Sequence, residues 1–132
     1  MDRRVVVTGI GVICAVGNNA EDTWKALLAG KSGVERITSF DASAFACQIA
    51  AEVKGFDPLQ FVDKKEARKM ARFIHLAIAA ADEAMRTSGL KITPQNAETV
   101  GVHIGSGIGG FAGFDSESER TKQFELFEES SV

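Results

Sequence analysis

Residues 4–13, Arg-Val-Val-Val-Thr-Gly-Ile-Gly-Val-Ile, form a near-continuous apolar run broken by Gly9 and Gly11. Valine and isoleucine favour strands. A run with so little alternation predicts burial on both faces, as in a sheet covered by helices. Glycines inside a strand signal a bulge or a close neighbour. No G-K-S/T ending follows, so the run lacks the means to hold a triphosphate.

A second stretch makes the same demand. Val100, Val102 and Ile104 alternate as on a strand with one apolar face, with His103 on the other, and the chain then turns glycine-rich. Four of the six residues from Gly105 to Gly110 are glycine, interrupted by Ser106 and Ile108. A strand ending in bare backbone presents its tip to a ligand or to another chain segment. Gly105, Gly107 and Gly110 satisfy G-x-G-x-x-G, which keeps a small dinucleotide-binding module as an alternative. That fingerprint also wants a second strand ending in an acid about 20 residues on. Residues 124–129 here read instead as charged helix or tail.

Between these stretches the local signals are those of helices. Asn18 or Asn19 can cap a helix with Glu21 and Asp22 in its first turn, Trp24, Leu27 and Leu28 on one face, and Gly30 as its stop. Residues 31–46 read as loop and 47–53 as a short strand. Asp57-Pro58 and Thr93-Pro94 each place a cap before a first-turn proline. Residues 63–88 are predicted to form one long helix of roughly 38 Å at ~1.5 Å per residue, with Asp63 and Glu66 as a capping box and Gly89 as its end. Met70, Phe73, Ile74, Ala77, Ile78, Ala81 and Met85 would form its core face.

The opposite face carries Lys65, Arg68, Lys69 and Arg72 at i, i+3, i+4 and i+7. Cations at a helix N-terminus oppose the macrodipole by ~0.3–1 kcal/mol each at exposed sites. Local stability alone would not choose this arrangement. It is either a solvated face or a surface kept for an acidic partner. Residues 117–129 hold a thin apolar stripe compatible with a further helix.

Composition limits the classes open to the chain. With 132 residues, 45% hydrophobic and 25% charged, it reads as one soluble globular unit. No run approaches the ~18 apolar residues of a membrane span, and a cytoplasmic location is expected. The net charge is −3. From residue 111 onward six acids face Arg120 and Lys122, so the earlier part is close to neutral. A pI of 5.4, without a basic stripe interleaved with aromatics, argues against nucleic acid. Cys14 and Cys47 match neither a disulfide framework nor a zinc pattern and are expected as buried free thiols.

Several blocks together resemble a known family. They are Val5-Val-Val-Thr-Gly-Ile-Gly-Val12, Val16-Gly-Asn18, Thr23-Trp-Lys-Ala-Leu-Leu-Ala-Gly-Lys-Ser-Gly33, Phe40-Asp41, Arg68-Lys-Met70 and Gly105-Ser-Gly-Ile-Gly-Gly110. In this order they are similar to the opening of the β-ketoacyl-acyl carrier protein synthases of the elongating, type II kind. The resemblance implies an α/β, thiolase-like fold, a five-layered αβαβα sandwich of two similar halves. Residues 1–132 would supply the N-terminal part of the first half and no second domain.

It further implies decarboxylating condensation of an acyl thioester with malonyl-carrier protein, in a homodimer and with no separate cofactor. Lys65, Arg68 and Lys69 stand where the family docks its acidic acyl carrier protein. Ile108 stands where a branched side chain lines the acyl pocket; a plug in the core is the plainer role for it. The family's nucleophilic cysteine and its two histidines have no counterpart in these residues. Cys14, Cys47, His75 and His103 are read as structural, so no catalytic residue and no metal ligand is assigned, and the chain alone is expected to be inactive. A polyketide ketosynthase and a non-catalytic chain-length partner subunit are the alternatives nearest to this reading.

Overall fold

The computed structural model describes residues 3–110. In chain order these form α1 (Ala20–Leu28), β1 (Glu35–Arg36), β2 (Ile49–Ala50), a 3-10 turn at Pro58–Gln60, α2 (Lys64–Ala67), α3 (Arg72–Ser88) and a second 3-10 turn at Ala97–Thr99. The helix expected over 117–129 lies outside the described residues.

The elements with local signals form where the sequence places them. Asn19 caps α1, its side-chain oxygen accepting from the Asp22 N–H at 2.7 Å. The helix closes in a Schellman motif: Gly30 N–H donates to Leu27 O and Lys31 N–H to Ala26 O, with Gly30 at φ 63°. Asp57 caps the Pro58–Gln60 turn by accepting from the Leu59 N–H at 2.9 Å. Gly89 ends α3 in the left-handed region. At 93–97 the cap-proline signal yields a turn, with the 3-10 helix starting at Ala97.

β1 and β2 pair antiparallel, Glu35 opposite Ala50 and Arg36 opposite Ile49, and the Ile37 N–H extends the ladder to Gln48 O at 2.9 Å. The strand expected over 47–53 is therefore confined to its middle. Phe40 and Phe45 meet edge to face across the connecting loop, with ring centroids 5.7 Å apart.

Two expectations are corrected. Residues 5–12 and 100–105 form no strand in the described part; Val5, Val7 and Val102 are 94%, 81% and 87% exposed. A doubly buried strand needs hydrogen-bonded neighbours on both sides, and among the described residues the paired strands are β1 and β2. The helix expected over 63–88 is also broken, ending as α2 at Ala67 and restarting as α3 at Arg72.

The packing that remains centres on α3. Gly9 and Gly11 lie so close to it that a Cβ at either would overlap the carbonyl oxygen of Ala84 or Ala80. Close approach is the use of these two glycines. Glu83, 8% exposed, is the buried acid at the centre. Its carboxylate accepts from the Val12 N–H at 2.9 Å and from the Ala20 N–H at 2.9 Å. The Ala20 N–H is a first-turn donor of α1 without an intrahelical partner, so the carboxylate also sits at the positive end of that helix. A buried charge is tolerable when hydrogen-bonded in this way.

Ala79 and Glu83 are the buried residues of α3, which displaces the expected core face. Phe73, Ala81 and Met85 of that face stay exposed. On α1 the buried residue is Ala26, and Trp24, Leu27 and Leu28 are exposed.

Candidate functional site

The break between α2 and α3 shapes the cationic stretch. Asp63 caps α2, its Oδ1 accepting from the Lys65 and Glu66 N–H groups at 2.9 and 3.0 Å. Continuing that helix would stack like charges four apart at Lys64 and Arg68, Lys65 and Lys69, and Arg68 and Arg72, each pair unfavourable by a few tenths of a kcal/mol. The chain instead becomes extended at Ala71, with φ −70° and ψ 154°. Ala67 O, the carbonyl that the Ala71 N–H would have satisfied, contacts the His75 ring Nε2 at 3.0 Å and accepts from the Met70 N–H at 3.3 Å. His75 is thus a structural closure of α2.

The four cations therefore do not share one helix face. Lys65 lies on α2 and Arg68 in the turn after it; both are exposed, and neither takes a carboxylate among the described residues. Lys69 pairs with Glu66 at 2.7 Å, an exposed i,i+3 pair worth about 0–1 kcal/mol. Arg72 opens α3, and its Nη2 donates to Val53 O at 2.8 Å.

Arg72 also borders a cleft of ≈ 480 Å3 lined by Thr38, Ser39, Glu52, Val53 and Leu76 among others. Glu52 Oε2 accepts from both the N–H and the hydroxyl of Thr38, at 2.9 and 2.7 Å, and Oε1 from the Ser39 N–H at 3.1 Å. Hydrogen bonds from Ser39 and Thr38 hold its carboxyl down at about 2.

The glycine tip folds back on the start of α3. The Gly109 N–H donates to Ser106 Oγ at 3.1 Å, which closes the turn on itself. A Cβ on Gly109 would strike the ring of Phe73, and Gly110, at φ 89°, lies against the same ring. Phe73 follows Arg72 directly, so the tip and the end of the cationic stretch meet at one helix N-terminus. Ile108 stands on this tip with 82% of its surface exposed.

The thiols and imidazoles are spread apart. Cys14 is half-buried, its Sγ 3.5 Å from Thr23 Oγ1, and that hydroxyl is the main reason its thiol lies below the usual value. Cys47 is exposed, contrary to expectation, because it lies in the loop before β2 and not in the strand, and it donates to Ile49 O at 3.5 Å. Among the described residues no thiol is hydrogen-bonded to an imidazole. Glu52 and Glu83, the two carboxylates that organise the structure, were not marked out by the sequence. The one signal was for Glu83, an acid inside an alanine-rich apolar helix.

The family model for the β-ketoacyl synthase N-terminal domain matches residues 2–130, and the chain belongs to that family. Its fold is accordingly α/β and thiolase-like. Over 108 residues, or 82% of the chain, it is 56% identical to 3-oxoacyl-(acyl-carrier-protein) synthase 2 of Coxiella burnetii and 54% identical to that of Vibrio cholerae. The Synechocystis protein of the same name is 49% identical over the same length. In each case the match covers 26% of the relative, so the chain spans about a quarter of the length of the curated relatives it matches. Among solved structures, the ishigamide ketosynthase/chain length factor is similar at a TM-score of 0.62 and 39% identity, covering 67% of this chain and 22% of that one. No helix among the described residues is long and apolar enough to cross a membrane.

Proposed function

We propose that these residues form the opening segment of an elongating 3-oxoacyl-acyl carrier protein synthase, and that they receive the carrier protein and border the acyl chain. The observation that carries this reading is the meeting of an exposed cationic stretch with a glycine tip bearing a single exposed branched residue. Lys65, Arg68 and Lys69 attract the acidic carrier, chiefly by speeding encounter and fixing orientation. Ile108 faces the acyl chain as a gate on its length.

The whole enzyme transfers an acyl group from carrier to a cysteine thiolate, freeing the carrier thiol. It then joins that acyl carbon to the malonyl carbon as carbon dioxide leaves, which restores the thiolate. The residues for this chemistry are supplied elsewhere in the synthase, which acts as a cytoplasmic homodimer without a separate cofactor or nucleic acid. The test is replacement of Lys65, Arg68 and Lys69 by Glu in the full synthase. The apparent KM for acyl carrier protein rises about tenfold at low ionic strength, three exposed charge contacts at roughly 0.5 kcal/mol each corresponding to that factor. Kinetics like those of the parent would refute the reading.

The likeness to a ketosynthase/chain length factor favours a second reading, a polyketide ketosynthase or its non-catalytic chain-length subunit. A 3-oxoacyl product released after a single condensation supports the first reading, and a poly-β-keto product built by repeated condensation supports the second.

A further inference from the structure

Three consecutive residues, 52–54, tie together parts of the chain that are distant in sequence. The Glu52 carboxylate holds the N–H groups of Thr38 and Ser39. Val53 O accepts from Arg72, and Lys54 O accepts from Asn18 Nδ2 at 2.9 Å. The Lys54 ammonium pairs with Glu35 on β1. The hairpin, the entry to α1 and the start of α3 are therefore anchored on one short segment.

α2 has four residues, too few to persist without tertiary support. Its forward support is the His75 contact with Ala67 O, and His75 lies on the first turn of α3. The direction in which Lys65, Arg68 and Lys69 project thus follows the placement of that turn. Arg72 is the residue that bonds the turn to the 52–54 anchor, across 19 positions of sequence.

We infer that Arg72 is a positioning residue of the cationic surface, acting through Val53 and the start of α3, and is not itself one of the docking cations. This rests on the docking reading above. Arg72 and Lys65 differ in what their side chains do: Arg72 donates to a backbone carbonyl, whereas Lys65 takes no carboxylate among the described residues. Lysine at position 72 would keep the charge, but its stem ends a bond short of the guanidinium tip and lacks the planar fork.

The experiment uses the full synthase with acyl carrier protein as the variable substrate, over a range of ionic strength. Lys65→Gln, Arg72→Lys and the parent are compared. Lys65→Gln flattens the salt dependence of kcat/KM, as expected of a contact screened by salt. Arg72→Lys raises KM several-fold at every ionic strength, with the parent's salt dependence and the parent's kcat. The inference is overturned if Arg72→Lys leaves KM unchanged, since charge alone then suffices. It is equally overturned if Arg72→Lys lowers kcat with KM unchanged, the signature of general structural damage. If Lys65→Gln keeps the parent's salt dependence, the docking reading itself fails, and this inference with it.

Discussion

Ile108 is the branched apolar group on a tip otherwise built of glycine and serine, and the gate proposed for it rests on that one side chain. Replacing it by the bulkier Phe should shorten the acyl chains that the full synthase accepts, read as the chain-length profile of its products. A profile like that of the parent would place Ile108 outside the acyl path. Its candidacy came from the resemblance, by position; the contrast with its glycine neighbours only makes it stand out on the tip. Glu52 and Glu83 were not legible for the opposite reason. Apart from the Thr38 hydroxyl on Glu52, their partners are backbone N–H groups, which every residue except proline offers, and the bonds of Glu83 reach back 71 and 63 positions. No pairing of residue types marks such a bond in a sequence.

Helix ends followed the same division between local and distant causes. Asn19, Gly30, Asp57 and Gly89 act on atoms within a few residues, and each does in the structure what its type favours. The interruption between α2 and α3 was missed, because 3.6-residue periodicity runs through Ala71 unbroken while like charges and the His75 contact end the helix. Ala71 supplies no side-chain cap to α3. Ala71→Ser should therefore stabilise the full synthase by about 1 kcal/mol, the usual worth of such a cap, seen as a higher melting temperature. A lower melting temperature would show that α3 starts elsewhere in the assembled enzyme. The segments 5–12 and 100–105 mark the limit of pattern reading. Their composition specifies the surroundings they require, but a strand exists only once another strand is beside it.

For the molecule as a whole, that requirement has a measurable outcome. Val5, Val7, Val102 and Ile104 lie open to solvent, and extended apolar segments without neighbours associate. The 132-residue chain by itself should be molten or aggregated, bind hydrophobic dyes, and yield no condensation product from acyl- and malonyl-carrier protein. A sharp melt, a dispersed amide spectrum or turnover would contradict this. The contact of Gly9 and Gly11 with Ala84 and Ala80 has a different bearing. Even the smallest side chain at either position would push the opening segment off α3 and draw Val12 away from Glu83, so one methyl group added near the start of the chain would be felt at the first turn of α1.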